Sequence, residues 1–479
     1  MANQLNQIQH IVQLMLENRS LDQMLGFLYA DSGNVSPQGS PFAGLTGKET
    51  NPDDTGQPVT VFQIQPTAPH PYEMPGADPA EGFQNMNLQL FSANPPPAGA
   101  TPTNQGFVVS FKGAIASDRA KGYKDTSPDV TPPDIMGSYT PALLPILSGL
   151  AKGFAVCDVW HSSVPSETIP NRAFAAAGTS QGHVSNSVKS FTCPSIYGRL
   201  SDKGVDWAIY GYSAAPLTRT DFPDTKSANA SHFGLFTDFQ KRAAAGTLPP
   251  YTFLEPSWSA AGNSQHPNYD VAAGEVLIHD VYTALRNGPA WASTLLIITY
   301  DEAGGTYDHV PPPANATPPG DGTVGELGFD FTRFGVRIPA VLVSPLIAAG
   351  AVYRAAGPID HTSVLKTIQE RWGTATLTAR DAAAASLADV LTLTQPRTDD
   401  PLQGVAPPAA KVISPGDTAP SPLELIHAER VAALPIRNVH GMYEEASPLP
   451  PLHTSAEVTG FINTRMAAWD AQLERLKGG

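Results

Sequence analysis

Charge is scarce in this chain, and positive charge scarcest. Of its 479 residues only 15% are Asp, Glu, Lys or Arg, and 29 Lys and Arg stand against 44 Asp and Glu. The net charge of −15 predicts repulsion from nucleic-acid phosphates and anionic membranes, so neither is expected as a general partner. A phosphate-bearing substrate stays compatible, because a metal ion supplies positive charge locally. Cysteine is nearly absent. Cys157 and Cys193 can pair once at most, which excludes a disulfide framework, and two unpaired thiols are expected. No stretch nears the roughly 20 apolar residues of a membrane span, so integral membrane association is not expected and transient lipid contact is left open. The opening MANQLNQIQHIVQLMLENRS has neither a basic n-region nor a cleavage site. As it stands the chain is expected to be cytoplasmic, with export of a longer precursor left open.

Glycine and proline are plentiful, 41 and 47 residues, so loops must be long and many. Between them runs a repeated grammar of short apolar strand, polar pair and helix. Residues 11–16 read as the first strand, ending at Glu17-Asn18, after which Ser20 caps a short helix stopped by Gly26. Residues 29–133 show little periodicity, with short elements near 59–64, 83–91 and 107–111. They are expected to fold over the active-site end of the sheet, carrying His70. A helix from Pro141 to Gly153, a strand over 154–159 and a helix marked by Pro170 follow. Thr168 then stands at or just before a helix N-terminus, where free N–H groups favour a phosphate; it reads equally well as a plain cap.

The rhythm continues with helices at 195–203, 233–245, 271–286 and 362–372 and strands at 207–210, 251–254 and 336–343. Leu295, Leu296, Ile297, Ile298 and Thr299 form a strand apolar enough to be buried on both faces, running into Asp301-Glu302 and Gly304-Gly305. Two carboxylates beyond a strand's carboxyl end suit a cation or acid–base work, or simply cap a turn. The pattern predicts an α/β fold: a mostly parallel central sheet with helices on both faces and long loop insertions over the active-site end. Residues 1–397 are expected to form the catalytic domain. Residues 398–479 are expected to be a linker and helical extension whose last helix docks through Val458, Phe461, Ile462, Met466, Trp469 and Leu473.

Five segments taken together carry a resemblance: ENRSLDQMLG at 17–26, DVWHSSVPSETIPNRAFAAAGTSQG at 158–182, HP at 266–267, TYDEAGGTYDHVPPP at 299–313 and DHTSVLKTIQERWG at 360–373. In this order they resemble the phospholipase C/acid phosphatase family of phosphoesterases, over about 11–397. The resemblance implies an alkaline-phosphatase-like fold and a metal site of Glu17, Asn18, Asp301 and Glu302, with Thr168 as nucleophile beside the cation. It implies His266 as the group that contacts phosphate or protonates the leaving oxygen. His361 is a second candidate, or else a structural histidine near a helix start. His309 and His161 are expected to shape loops, and Asn171 and Arg172 to fix the Thr168 loop.

The chain departs from the family pattern at Ser166-Glu167, at Gln23, at Ala303, and at Glu81, where a histidine is usual. The implied activity is metal-dependent phosphate-ester hydrolysis, as a phospholipase C or an acid phosphatase, through phosphothreonine. The oxygen-rich ligand set favours Ca²⁺, Mg²⁺ or Mn²⁺ and is open to iron or zinc. The alternative is a catalytically silent metal- or phosphate-binding protein on the same fold. A sulfatase-like reaction is disfavoured, since no Cys or Ser occupies the nucleophile position.

Overall fold

The two most apolar runs of the sequence become the two central strands. His10–Leu16 and Thr294–Tyr300 pair in parallel along their whole length, and Thr294–Tyr300 is buried at every residue. The register sets Leu16 opposite Tyr300. Glu17 and Asp301 therefore leave the sheet at one level, side by side. The computed structural model describes residues 3–123, 126–188, 190–437 and 449–477.

Eight strands make the sheet, in the spatial order Ala351–Tyr353, Ala155–Cys157, Ala340–Val343, Thr294–Tyr300, His10–Leu16, Tyr251–Leu254, Trp207–Gly211 and Phe233–Leu235. Ala340–Val343 runs antiparallel to both neighbours, and the other pairings are parallel. The mostly parallel α/β architecture expected from the sequence is thus the one observed. Helices Pro145–Gly153, Phe236–Ala245 and Val271–Arg286 pack together, and Thr168–Ala177 packs with both Ile196–Asp202 and Thr362–Trp372.

Several boundaries differ from the sequence reading. The helix expected from Pro141 begins at Pro145, where the buried Glu275 carboxylate accepts the free N–H groups of Ile146 (2.7 Å) and Leu147 (3.0 Å). Phe233–Leu235 is an edge strand rather than the first turn of a helix. The helix starts only at Phe236, because Asp238 accepts from the Leu235 N–H at 3.1 Å. The element near 107–111 is a helix running Phe107–Lys121. The strand at 336–343 is confined to Ala340–Val343, because Pro339 has no N–H to give the ladder, and residues 336–338 pair instead with 160–162. Both cysteines are free thiols.

The two helices of the extension, Pro422–Ala432 and Ser455–Lys477, pack on one another. Val458, Ile462, Met466 and Trp469 are buried there with Val431, Leu434, Ile436 and Ala215. The Trp469 Nε1–H donates to the Lys226 carbonyl (3.0 Å), and Arg219 pairs with Asp470. The last helix thus docks on the body of the same chain, as its apolar face requires. Among the described residues no helix is long and apolar enough to cross a membrane.

Candidate active site

Asn18 knits the site together. It takes a left-handed conformation (φ 58°), which asparagine tolerates better than most residues. Its N–H donates to Asp301 Oδ1 at 3.0 Å, and its side-chain oxygen accepts from the Thr168 hydroxyl at 3.3 Å. Gly304 (φ +60°) lies so close that a Cβ there would sit 2.2 Å from the Asn18 carbonyl oxygen. The glycine after Asp301-Glu302 is what lets the two strand ends approach.

Thr168 is the first residue of helix Thr168–Ala177 and is buried; Glu167, not Thr168, holds the capping position. The hydroxyl is therefore not spent on its own helix. The Asn171 side chain donates to the carbonyls of Val164, Ser166 and Glu167 and accepts the Val164 N–H, locking the loop ahead of Thr168. The Ser166 hydroxyl donates to the Val184 carbonyl, and the Glu167 carboxylate accepts the Asn186 N–H. The Ser166-Glu167 departure thus ties the Thr168 loop to residues 184–186. Arg172, one turn on, donates to Asp301 Oδ2 (3.0 Å) and to the carbonyls of Met15 (3.2 Å) and Leu16 (3.0 Å), its guanidinium 4.5 Å from the Trp258 ring centre.

The carboxylates are buried with too few donors. Glu17 Oε2 and Glu302 Oε1 have no hydrogen-bond partner, although Glu302 Oε2 accepts the Gly304 N–H at 2.6 Å. Burial pushes Glu17 up to about 7 against the pull of His266, and Asp301 adds to the rise. Burial, then the neighbouring carboxyls of Glu81 and Asp301, hold Glu302 well above the usual carboxylate range. Buried oxygens without donors are costly unless something cationic completes them. Glu17 and Glu302 fit a divalent cation on that ground, and Asn18 Oδ1, which accepts from Thr168, adds a neutral oxygen beside them. Asp301 fits less freely, since each of its oxygens already accepts a donor.

Among the described residues, two triads bring ligand atoms within 4.8 Å of one another: Asp78/Glu81/His266 and Asp22/Asp308/His309. Glu17, Asp301 and Glu302 do not converge at that spacing. The second triad is an ion network whose cation is Arg337, donating at 3.0 Å to both Asp22 and Asp308. His309 Nδ1 lies 2.6 Å from Asp22 in the same network. The first triad draws Asp78 and Glu81 from the long insertion to His266. Glu81 is visible in the sequence as a departure, but nothing there shows where it points.

The remaining histidines are placed as follows. His266 Nδ1 is 3.0 Å from the Pro267 carbonyl, and its ring lies 5.0 Å from that of Tyr269. His361 is fully buried, its Nε2 2.6 Å from the Asp301 carbonyl, and burial lowers its pKa. His161 is buried against the Gly335 carbonyl (3.1 Å) and the Phe334 ring. His70 is exposed and pairs with Glu73.

Two cavities flank the cluster. One, of about 540 Å³, is lined by Gly82, Phe83, Glu167, Ser185, Glu326 and Leu327. The other, of about 500 Å³, is lined mainly by apolar groups including Phe62, Met74, Pro75, Val130, Tyr269 and Ile413.

A helix-start hydroxyl and strand-end carboxylates lie at one end of an α/β sheet, an arrangement able to serve ester hydrolysis. Residues 8–375 match the Phosphoesterase family, and the chain belongs to that family. Non-specific phospholipase C6 of Arabidopsis thaliana is 36% identical over 420 residues, covering 82% of this chain and 74% of that protein. Non-specific phospholipase C3 of the same plant is 33% identical over 461 residues (88% and 82%). Phospholipase C A of Mycobacterium tuberculosis is 28% identical over 460 residues (84% and 82%). The protein is a phosphoric ester hydrolase.

Proposed function

We propose that hydrolysis proceeds through Thr168 at a divalent-cation site made by Glu17, Asn18, Asp301 and Glu302, and that the substrate is a phospholipid. The observation that carries the reading is the Thr168 hydroxyl held 3.3 Å from Asn18 Oδ1, with the orphaned oxygens of Glu17 and Glu302 in the same buried site. A bound cation there lowers the pKa of a hydroxyl beside it and offsets charge on phosphoryl oxygens. The donor set favours Ca²⁺, Mg²⁺ or Mn²⁺.

Thr168 Oγ1 attacks phosphorus as its proton passes to a solvent water. The bond to the departing alcohol breaks, that oxygen takes a proton from solvent, and His266 stands beside the phosphoryl group. The phosphoryl group, with any head-group alcohol it carries, stays on Thr168 until water attacks phosphorus and the threonine hydroxyl is restored. Asn171 and Arg172 hold the Thr168 loop against Asp301. His361, bonded to the Asp301 carbonyl, is a positioning residue rather than a proton carrier. The phospholipid branch is supported by the names of the relatives and by the cavity lined by Tyr269, three residues beyond His266, whose mostly apolar surface offers the diacylglycerol portion a place beside a rim of Glu73, Asp129, Asp134 and Asp270.

The test compares p-nitrophenyl phosphate, p-nitrophenyl phosphorylcholine and phosphatidylcholine vesicles on metal-replete enzyme, with Thr168→Ala as control. Turnover of the diesters and vesicles, abolished in a folded Thr168→Ala, is the expected result. Turnover of the monoester alone removes the phospholipid reading, and retained activity in Thr168→Ala removes the nucleophile. Cap loss alone costs only about 1 kcal/mol, so the variant should fold.

A further inference from the structure

Asp78, Glu81 and His266 lie in segments that the sequence keeps far apart, yet each offers a ligand atom within 4.8 Å of the other two. We propose that this triad binds a second divalent cation, adjoining the one read at Glu17, Asn18, Asp301 and Glu302. The proposal rests on that reading for what the cation does there, but not for the existence of the site.

Two further observations point to a ligand. The first is Glu302 Oε1, fully buried and without a partner. Three residues on, Gly305 packs on Pro79-Ala80, where an added Cβ would lie 2.8 Å from the Ala80 carbonyl oxygen, so the Glu302 loop rests against the stretch that carries Asp78 and Glu81. A buried oxygen lacking any donor thus stands beside the cluster. The second is the setting of His266. Its Nδ1 lies 3.0 Å from the Pro267 carbonyl, which can only accept, so Nδ1 donates there and Nε2 is the ring nitrogen left to meet a ligand. A backbone carbonyl fixing the tautomer in this way is the usual support of a metal-bound imidazole. Arg19 holds the same loop, donating to the carbonyls of Gln265 (2.6 Å) and His266 (3.0 Å).

Charge balance leads to the same place. Glu17, Asp301, Glu302, Glu81, Asp78 and Glu167 form an unbroken chain of interacting carboxyls, with Arg172 as the guanidinium among them. A phosphate ester adds further negative charge. A proton shared between Asp78 and Glu81 would relieve their mutual repulsion while offering the phosphate nothing; a cation does both. Two carboxylates and an imidazole suit Mn²⁺, Fe²⁺ or Zn²⁺ better than Ca²⁺.

The experiment is a metal count. The full chain is stripped with chelator, loaded separately with Mn²⁺ and Zn²⁺, desalted, and its metal-to-protein ratio measured by elemental analysis. The native chain is expected to hold two equivalents, and Glu81→Gln one, with Asp78→Asn as a second variant should Glu81→Gln fail to fold. Asp301→Asn is expected to lose the other equivalent and keep this one. A metal content that Glu81→Gln and Asp78→Asn leave unchanged overturns the proposal and assigns the cluster a shared proton. Failure of the hydrolytic reading looks different: metal lost in the Glu81 variant, with no turnover of any phosphate ester by the native enzyme, leaves this site standing and removes Thr168.

Discussion

Replacing Arg430 with methionine should loosen the C-terminal extension, and the cost can be worked from the pair it breaks. Arg430 donates to the Asp221 carboxylate and, at 2.6 Å, to the Val188 carbonyl. Both side chains of the pair are almost fully buried, at 1% and 2% exposure. Burial raises the Asp221 pKa even with the guanidinium pulling it down. Desolvation therefore outweighs attraction, and the pair adds little net stability while being expensive to break. Stranding a buried carboxylate costs about 3–5 kcal/mol. Protonating an ordinary aspartate at pH 7 costs about 4 kcal/mol, and that route of relief caps the penalty. At pH 5 the same relief costs only about 2 kcal/mol, so the damage should shrink as pH falls. Urea unfolding of the native chain and Arg430→Met at both pH values measures this directly. The double variant Asp221→Leu/Arg430→Met should recover most of the loss, since apolar replacement removes the stranded charge. A single-variant cost under about 1 kcal/mol, or one equal at pH 5 and 7, would refute the reasoning.

Two further predictions concern the site and its surroundings. Gly304→Ala should lower both activity and bound metal at least tenfold, because the new methyl meets the Asn18 carbonyl at 2.2 Å in a left-handed backbone; unaltered metal content and turnover would show that Asn18 need not be held there. His161 is pushed down to about 3, first by burial and then by Arg337. Unfolded it titrates near 6.5, so the stability it carries is full above that pH and drains as pH falls toward 3, by about 2 kcal/mol at pH 5. His161→Gln should therefore flatten the pH dependence of urea unfolding between 7 and 5, and parallel profiles for the two proteins would count against a neutral buried imidazole.

How far the sequence could be read depends on how each element is stabilised. Residues 11–16 and 295–299 are legible because burial on both faces leaves an uninterrupted apolar run. Ser20 and Asp270 are legible as caps because they bond the nearby N–H groups of Gln23 and Ala272. The second half of Phe107–Lys121 is not, since residues 116–121 add no apolar side chain larger than alanine to mark a helical face. The start at Phe236 was written in Asp238, three residues past Leu235, and the apolar run beginning at Phe233 hid it. Glu17, Asn18, Asp301 and Glu302 stand at strand ends, where order in the chain implies nearness in space. Asp78 and Glu81 meet His266 only through the path of a long insertion, which no local pattern encodes.

That insertion has an evolutionary corollary. The backbone that presents Glu17 and Asp301 is fixed by paired strands, while most of the apolar cavity's lining, one side of the other cavity and two ligands of the proposed second cation site hang from residues 62–134. The strand-borne part of the bond-breaking apparatus and much of the substrate-facing wall thus sit on separate pieces of chain. A library of insertions grafted between the first strand and the Pro145–Gly153 helix could retarget the enzyme to new esters without retuning the sheet beneath it.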